Sequence, residues 1–240
     1  FKCHYPREYM AALLTSVLDS QGKIAEYIAE CRSLGIRLLP PDINQSGPDF
    51  TVAGRDIRFG LAALKGVGRG FTNAVLARRQ ADGPFTSFPD FCQRLLDEDL
   101  NKRVLESLIR AGAFDAMGVR RSQLLDAYEQ LIDSLTRNRR KNLEGQFDLF
   151  SLGQEKPEPV ELVLRDLPEF SQEELMTMEK EVTGLYLSGH PMDAYRDTVR
   201  AQGAVPIASV LEDFAQEEGP TQFQDGQRIL LAGVVAAAKT

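Results

Sequence analysis

The residues Leu61-Ala-Ala-Leu-Lys-Gly-Val-Gly68 indicate how the chain folds, because a helical pattern runs into a glycine turn and a second helical pattern follows it. A degenerate copy, Leu105-Glu-Ser-Leu-Ile-Arg-Ala-Gly112, begins 44 residues further along the chain. Both copies contain two leucines three residues apart and a glycine four residues after the second leucine. The repeat predicts a helix, a tight hairpin and a helix, formed twice.

Such a hairpin can bind an anion. Gly66 and Gly68 can adopt a positive φ, which lets successive backbone N–H groups point to the same side, and neither has a Cβ to keep a phosphate away. The following helix, predicted over about residues 71–79, adds its N-terminal N–H groups and the positive end of its dipole. Lys65 and Arg69 flank the turn and can add charge-assisted contacts. Such contacts hold a sugar-phosphate backbone without reading its bases.

The second copy is the poorer one, since it has one glycine where the first has two. It is expected either to bind phosphate weakly or mainly to pack against the first copy. The alternative for both copies is a glycine turn between helices that has no ligand. The candidate DNA-binding residues are Lys65, Gly66, Val67, Gly68, Arg69 and Gly70 in the first copy and Arg110, Ala111 and Gly112 in the second.

The charge of the chain is unevenly distributed around a net value of −7. Residues 55–141 have a net charge of +5, whereas residues 1–54 have −1 and residues 142–240 have −11. A basic middle section between neutral and acidic flanks predicts that this section meets an anion. A solvated charge pattern without a partner is the alternative, and the repeat within this section argues against it.

The composition excludes several classes of protein. The chain has 240 residues, of which 43% are apolar and 26% charged, as in ordinary globular proteins. No apolar run approaches the roughly 20 residues of a membrane span, and no signal-peptide pattern is present. Three widely spaced cysteines exclude a disulfide framework, and with two histidines they argue against a metal site. The sequence therefore predicts no membrane partner and a reducing, cytoplasmic setting.

The rest of the pattern predicts a mainly α fold with little strand. A helical pattern continues from Leu61 to about Arg137, and a polar linker follows up to residue 160. Ser171 and Glu174 form a capping-box pair at the start of a helix. Further helices are predicted over residues 6–19, 23–34, 171–187 and about 191–202, and strands over residues 50–52, 57–59 and 229–235. Phe1 stands in place of an initiator methionine, and the last strand lacks partners, so we expect a fragment of a larger protein.

The first hairpin resembles the helix-hairpin-helix DNA-binding motif. Blocks along nearly the whole chain resemble, in the same order, the family of bacterial DNA polymerase III alpha subunits. These blocks are Tyr5-Pro-Arg-Glu-Tyr-Met-Ala-Ala-Leu-Leu-Thr-Ser16, Leu39-Pro-Pro-Asp-Ile-Asn44, Ile57-Arg-Phe-Gly-Leu-Ala62, Leu105-Glu-Ser-Leu-Ile-Arg-Ala-Gly-Ala-Phe-Asp115 and Gly184-Leu-Tyr-Leu-Ser-Gly-His-Pro191.

The resemblance implies a domain map and a set of partners. It implies the end of a fingers domain, a tandem helix-hairpin-helix domain that grips duplex DNA, a linker with a clamp-binding peptide, a helical connector and the first strand of an OB-fold domain. Their implied bounds are residues 1–50, 51–135, 136–160, 161–225 and 226–240. The implied partners are duplex primer-template DNA, the sliding clamp and other replicase subunits. No cofactor and no catalytic residue are expected in this chain, since the family's Mg²⁺-binding carboxylates belong to a palm domain with no counterpart here, and the parent would polymerise by two-metal phosphoryl transfer.

The linker contains the pentapeptide Gln146-Phe-Asp-Leu-Phe150, which resembles the peptide by which bacterial polymerases dock on the sliding clamp. Leu149 and Phe150 are adjacent apolar anchors for a hydrophobic pocket, and Gln146 can form hydrogen bonds beside it. The clamp-binding candidates are Gln146, Asp148, Leu149 and Phe150. The alternative is that Leu149 and Phe150 cover a neighbouring core.

Other polar residues are interpreted more simply. His190 precedes a proline and is expected in a structural turn, and the acidic run at residues 97–99 is expected in a solvated loop. The basic pairs at 78–79 and 120–121 and the cluster at 137–141 are either phosphate contacts or solvated. The competing identities are an error-prone alpha-like paralogue or the other Gram-positive replicative polymerase, a non-catalytic clamp-associated repair or scaffold protein with tandem hairpins, and an all-helical interaction module without a DNA role.

Overall fold

The structure is a computed structural model that describes residues 1–18, 20–145, 162–216 and 219–234. It forms two compact units, the first over residues 1–188 and the second from residue 189 onward. The described part of the chain is mainly helical, with one small sheet, which confirms the predicted mainly α fold class. Within the described ranges, no helix combines the length and apolar character that a membrane crossing requires.

The first unit begins with two helices that pack on a small sheet. Helices α1 (Pro6–Ser16) and α2 (Gln21–Ser33) are followed by strands β1 (Leu38–Leu39), β2 (Thr51–Ala53) and β3 (Asp56–Arg58). The strand order is β1-β3-β2, with β1 parallel and β2 antiparallel to β3. Ile57 pairs with Leu38 on one side and Val52 on the other, and its side chain is fully buried. The strands predicted over residues 50–52 and 57–59 are confirmed as β2 and β3, each displaced by one residue.

The repeat forms the helical body of the first unit. It contains α3 (Arg69–Asp82), α4 (Phe88–Leu95), α5 (Lys102–Arg110) and α6 (Arg121–Gly145), with 3₁₀ turns at Leu61–Ala63 and Asp115–Met117. Side-chain caps define two of the helix starts, since Ser87 accepts from the Asp90 amide and Asn101 accepts from the Val104 amide.

Aromatic side chains fill the space between these helices. The ring of Phe91 lies edge-to-face against Phe85 and Phe114, at centroid distances of 5.0 and 5.1 Å, and Phe88 meets Phe114 at 4.9 Å. All four are buried. Burial of a phenylalanine contributes about 1.5–3 kcal/mol, so this cluster fixes the packing of the two copies of the repeat against one another.

Helix α6 is longer than predicted. The helical pattern was predicted to end at about Arg137, but the helix continues to Gly145, so the predicted end of the helix is wrong. Most residues of α6 beyond Leu135 are polar, and the arginines, the lysine and the glutamate among them are good helix formers, so the loss of apolar periodicity does not end the helix. An ion pair between Arg139 and Asp97 holds this extension against the loop before α5.

Helix α7 (Gln172–Thr183) begins at the predicted capping box. Ser171 accepts from the Glu174 amide, and the Glu174 carboxylate accepts from the Ser171 amide. The helix was expected to continue to residue 187 but ends at Thr183, because Gly184 adopts the left-handed conformation with φ 79°.

The second unit contains a 3₁₀ turn at Asp193–Tyr195 and helices α8 (Arg196–Ala201) and α9 (Ile207–Phe214). His190 lies in a turn, as predicted, with its amide donating to Asp193. The strand predicted over residues 229–235 is wrong for its described part, because residues 229–234 form no strand. A strand requires a ladder partner, and within the described part of this unit the backbone of that run takes one hydrogen bond, from the Val205 amide to the Leu230 carbonyl.

Candidate nucleic-acid interface

The first hairpin joins the 3₁₀ turn at Leu61–Ala63 to α3. Leu64 and Val67 are buried and anchor the loop, so the side chain of Val67 faces the core. Gly66 has φ 82°, which confirms the expected positive φ there. Gly68 has φ −82° as the N-cap of α3, so the expectation of a positive φ at Gly68 is wrong. Extended backbone at an N-cap is what lets the next N–H groups point out of the helix end.

The backbone amides of this hairpin divide into two groups. The Lys65 amide donates to the Val182 carbonyl at 2.8 Å, and the Val67 amide donates to the Leu64 carbonyl at 3.1 Å. Among the described residues, the four amides of Gly66, Gly68, Arg69 and Gly70 have no acceptor. Residues 66, 68, 69 and 70 are also exposed. The hairpin therefore presents an open row of donors at the positive end of the α3 dipole.

The predicted cations of the first hairpin are present at its edge. Lys65 is exposed and forms no ion pair within the described part of the chain. Arg69 pairs with Asp49 at 2.6 Å, with 57% and 40% of the two side chains exposed. An ion pair this exposed contributes little, so Arg69 can exchange Asp49 for a phosphate. Leu18 and residues 62–68 line an open groove beside these groups.

Sequence reasoning missed Arg103, in the first turn of α5. Its Nε atom lies 3.4 Å from the position that a Cβ on Gly66 would occupy. Arg103 forms no ion pair or side-chain hydrogen bond with any described residue. No sequence signal could have placed it here, because its approach to Gly66 depends on how the two copies pack.

The second hairpin has the expected turn but no open amides. Gly112 adopts φ 79°, and Ala111 and Gly112 are buried. The amides of residues 111, 112 and 113 donate to the carbonyls of Ser107, Ile109 and Leu108. Arg110 pairs with Glu106 and Glu181. Of the two outcomes expected for this copy, the structure shows packing against the first, where the Ser107 hydroxyl donates to the Lys65 carbonyl at 2.8 Å.

The start of α6, which follows the second hairpin, is closed by the chain itself. The Glu169 carboxylate accepts from the Arg121 amide at 2.8 Å and the Ser122 amide at 3.1 Å. Burial opposes the ionisation of Glu169, but amide donors from Phe170, Ser122 and Arg121 outweigh it and hold the pKa of this carboxyl below its usual range. A carboxylate thus occupies the place where a free helix N-terminus would receive an anion.

Much of the basic charge counted in residues 55–141 is used internally. Arg78 pairs with Glu98, Arg79 donates to the Ile43 and Ser46 carbonyls, and Arg120 pairs with Asp166. Arg121 is buried between Asp115 and Glu179. The ion pairs of Asp97 and Glu98 show that the acidic loop is not simply solvated. The available charge at the interface therefore comes from Lys65, Arg69 and Arg103.

The structure gives no view of the predicted clamp-binding peptide. The clamp-binding candidates Gln146, Asp148, Leu149 and Phe150 lie outside the described residues. Within the described ranges, no three His, Cys, Asp or Glu side chains come together as a metal site.

Known proteins resemble both the hairpin region and the chain as a whole. Residues 35–124 match the family described as helix-hairpin-helix motif. The chain is similar to three DNA polymerase III alpha subunits, each 40% identical: that of Mycobacterium tuberculosis over 88% of this chain and 18% of the relative, that of Thermus aquaticus over 98% and 18%, and that of Neisseria meningitidis over 100% and 20%. The chain spans about a fifth of the length of these curated relatives. It therefore belongs to the DNA polymerase III alpha-subunit family and corresponds to a segment of such a subunit.

Proposed function

We propose that this chain binds duplex primer-template DNA through the sugar-phosphate backbone at its first hairpin, as part of a replicative DNA polymerase. The observation that carries the proposal is the row of open amides at residues 66, 68, 69 and 70, beside Lys65 and Arg69. Backbone amides and flexible cations fit phosphate oxygens and give no base selectivity. Affinity should fall steeply with salt, because each neutralised phosphate releases counterions.

The whole protein, on this proposal, is a DNA-directed DNA polymerase of the bacterial cytoplasm. The names of the relatives support it, and they favour an alpha subunit over a repair or scaffold protein. The described residues contain no side-chain cluster suited to a pair of catalytic Mg²⁺ ions. We propose that this segment contributes DNA binding to the whole protein.

Replacing both Gly68 and Gly70 by alanine is expected to raise the Kd for a primer-template duplex about tenfold, because two methyl groups would stand between the amides and a phosphate. A Cβ at either position meets no atom within 4 Å, and neither residue has a positive φ, so the free protein tolerates the change. The measurement is fluorescence anisotropy of a labelled duplex at 50 and 200 mM salt.

The matched control is Gly22→Ala on α2, where an added Cβ also meets nothing within 4 Å. It should leave the Kd unchanged. Equal Kd values for the double variant and the control would contradict a close approach of phosphate to this hairpin. Binding by the unaltered chain that is insensitive to salt would contradict the proposed function itself.

The proposal also includes docking on the sliding clamp through Gln146-Phe-Asp-Leu-Phe150. It rests on the sequence, in which two adjacent apolar anchors follow a glutamine and an aspartate. Anchors of this kind dominate the binding energy of short peptides. Docking would also raise the effective concentration of the polymerase at DNA that the clamp encircles.

Replacing Leu149 and Phe150 together by alanine is expected to weaken binding to an immobilised clamp by at least about 30-fold, the factor for one anchor of about 2 kcal/mol, since the contributions of adjacent anchors are not additive. Surface plasmon resonance provides the measurement. Phe147→Ala removes a neighbouring aromatic side chain outside the proposed anchors and should have a much smaller effect. If the double variant binds the clamp as tightly as the unaltered chain, this peptide is not the docking site.

A further inference from the structure

The side chain of Arg103 lies against the backbone of the first hairpin, although it belongs to the second copy of the repeat. Its Nε, Cδ and Cγ atoms are 3.4, 3.9 and 3.9 Å from the position of a Cβ on Gly66. The Arg103 side chain therefore lies beside Gly66, whose amide is one of the open donors. A residue with a side chain at position 66 would compete with Arg103 for this space.

The charged groups nearest to Arg103 along α5 are all engaged elsewhere. Lys102 donates to Glu129 and Asp133 at 3.2 Å each, and the hydrogen bonds to these carboxylates raise the pKa of its ammonium group. Glu106 accepts from Arg110 at 2.9 Å. Arg103 has no such partner among the described residues, so none of them neutralises its positive charge.

The same helix also fixes the hairpin that Arg103 approaches. Ser107, one turn after Arg103, donates its hydroxyl to the Lys65 carbonyl at 2.8 Å. The amide of Lys65 donates in turn to the Val182 carbonyl at 2.8 Å. The peptide groups on either side of Lys65 are thus held by α5 and α7, which fixes the direction of the following Gly66 amide.

We propose that Arg103 is a phosphate ligand of the first hairpin, and that its guanidinium group and the open amides at residues 66 and 68 hold one backbone phosphate between them. This inference rests on the proposed function and adds that the two copies of the repeat supply different phosphate-binding groups. The first copy supplies the amides. The second copy, whose own amides are closed, supplies the cation. Guanidinium is suited to this role because its planar donors match phosphate oxygens.

The test compares Arg103→Ala with Lys102→Ala, because the two variants remove the same charge from adjacent positions on one helix. Arg103→Ala is expected to raise the Kd for duplex DNA about tenfold at 100 mM salt and to reduce the slope of log K against log salt by about 0.9, the value for one phosphate. Lys102→Ala should change neither quantity appreciably. Arg103→Lys should restore most of the salt slope and part of the affinity, since the charge returns without the planar fork.

The outcomes separate this inference from the proposed function. If Gly68→Ala/Gly70→Ala weakens duplex binding while Arg103→Ala behaves like Lys102→Ala, the role of Arg103 is overturned and DNA binding by the hairpin stands. If the unaltered chain shows no salt-dependent binding to duplex DNA, both are overturned. Thermal unfolding of Arg103→Ala should match that of the unaltered chain, so a lowered Tm accompanied by lost binding would mark the residue as structural and overturn the inference.

Discussion

Replacing Glu179 by alanine is expected to lower the free energy of unfolding by about 3–5 kcal/mol, because it would remove the more deeply buried of the two carboxylates that pair with the buried Arg121. The side chains of Glu179 and Arg121 are 1% and 7% exposed, and their nearest atoms are 3.1 Å apart. Urea denaturation monitored by circular dichroism would measure the loss.

Glu179 also holds the loop after α7. Its second carboxylate oxygen accepts from the amides of Leu187 and Ser188 at 3.0 and 2.8 Å. The alanine variant would therefore leave two backbone donors without their acceptor, and Arg121 with one carboxylate in place of two. Both amides are only partly buried, so water can replace part of this bonding, and the loss of the buried partner of Arg121 is the larger contribution.

Glu181→Ala is the matched control, two residues further along α7. Its carboxylate is 56% exposed and pairs with Arg110. Loss of this exposed pair should cost no more than about 1 kcal/mol. Glu179→Gln should fall between the two alanine variants, since the amide keeps an acceptor for the loop but not the charge. Equal midpoints for Glu179→Ala and Glu181→Ala would show that the buried pair does not stabilise the fold.

Replacing Gly60 by alanine is expected to destabilise the first unit by about 3 kcal/mol, because the new methyl group would collide with backbone. An added Cβ would lie 2.5 Å from the Asp49 carbonyl carbon and 2.6 Å from the Pro48 carbonyl oxygen. Gly60 has an ordinary φ of −78°, so the cost comes from lack of space and not from its conformation. The free energy of unfolding in urea is the measurement.

The collision would disturb contacts that lead to the DNA-binding hairpin. The amides of Leu61 and Ala62 donate to the Gly47 and Pro48 carbonyls at 2.9 and 3.0 Å, and Asp49 is the partner of Arg69. Gly47→Ala serves as the control in the same loop, where a Cβ meets nothing within 4 Å. A Gly60→Ala variant as stable as Gly47→Ala would mean that residues 48 and 49 can move away at little cost.

A helix start that depends on neighbouring residues was predicted correctly from the sequence. The capping box predicted at Ser171 is present, because it depends only on two residues three positions apart. The extent of α6 and the end of α7 were less well predicted. Apolar periodicity stops before α6 does, while a single left-handed residue, Gly184, stops α7 early.

In the candidate site, too, features set by neighbouring residues were predicted and features set by distant contacts were not. The glycine turn and the N-terminal amides of α3 are local, and the sequence predicts them apart from the conformation of Gly68. Arg103 and Glu169 could not be predicted. Arg103 reaches residue 66 only through the packing of two copies, and Glu169 reaches Arg121 across 48 residues of sequence. The net charge of +5 in residues 55–141 overstated the charge available to an anion, because most of the arginines there contact carboxylates or carbonyls that are distant in sequence.

The length of α6 has a consequence for any partner that engages residues 146–150. A helix from Arg121 to Gly145 is about 36 Å long at roughly 1.5 Å per residue. Arg165 and Glu169, soon after Leu162, bond to Gln123 and Arg121 at the opposite end of this helix. The 17 peptide steps from Gly145 to Leu162 can reach at most about 60 Å at 3.3–3.6 Å each. Residues 146–150 follow directly after Gly145, so a partner bound to them would lie within about 18 Å of that end of the helix.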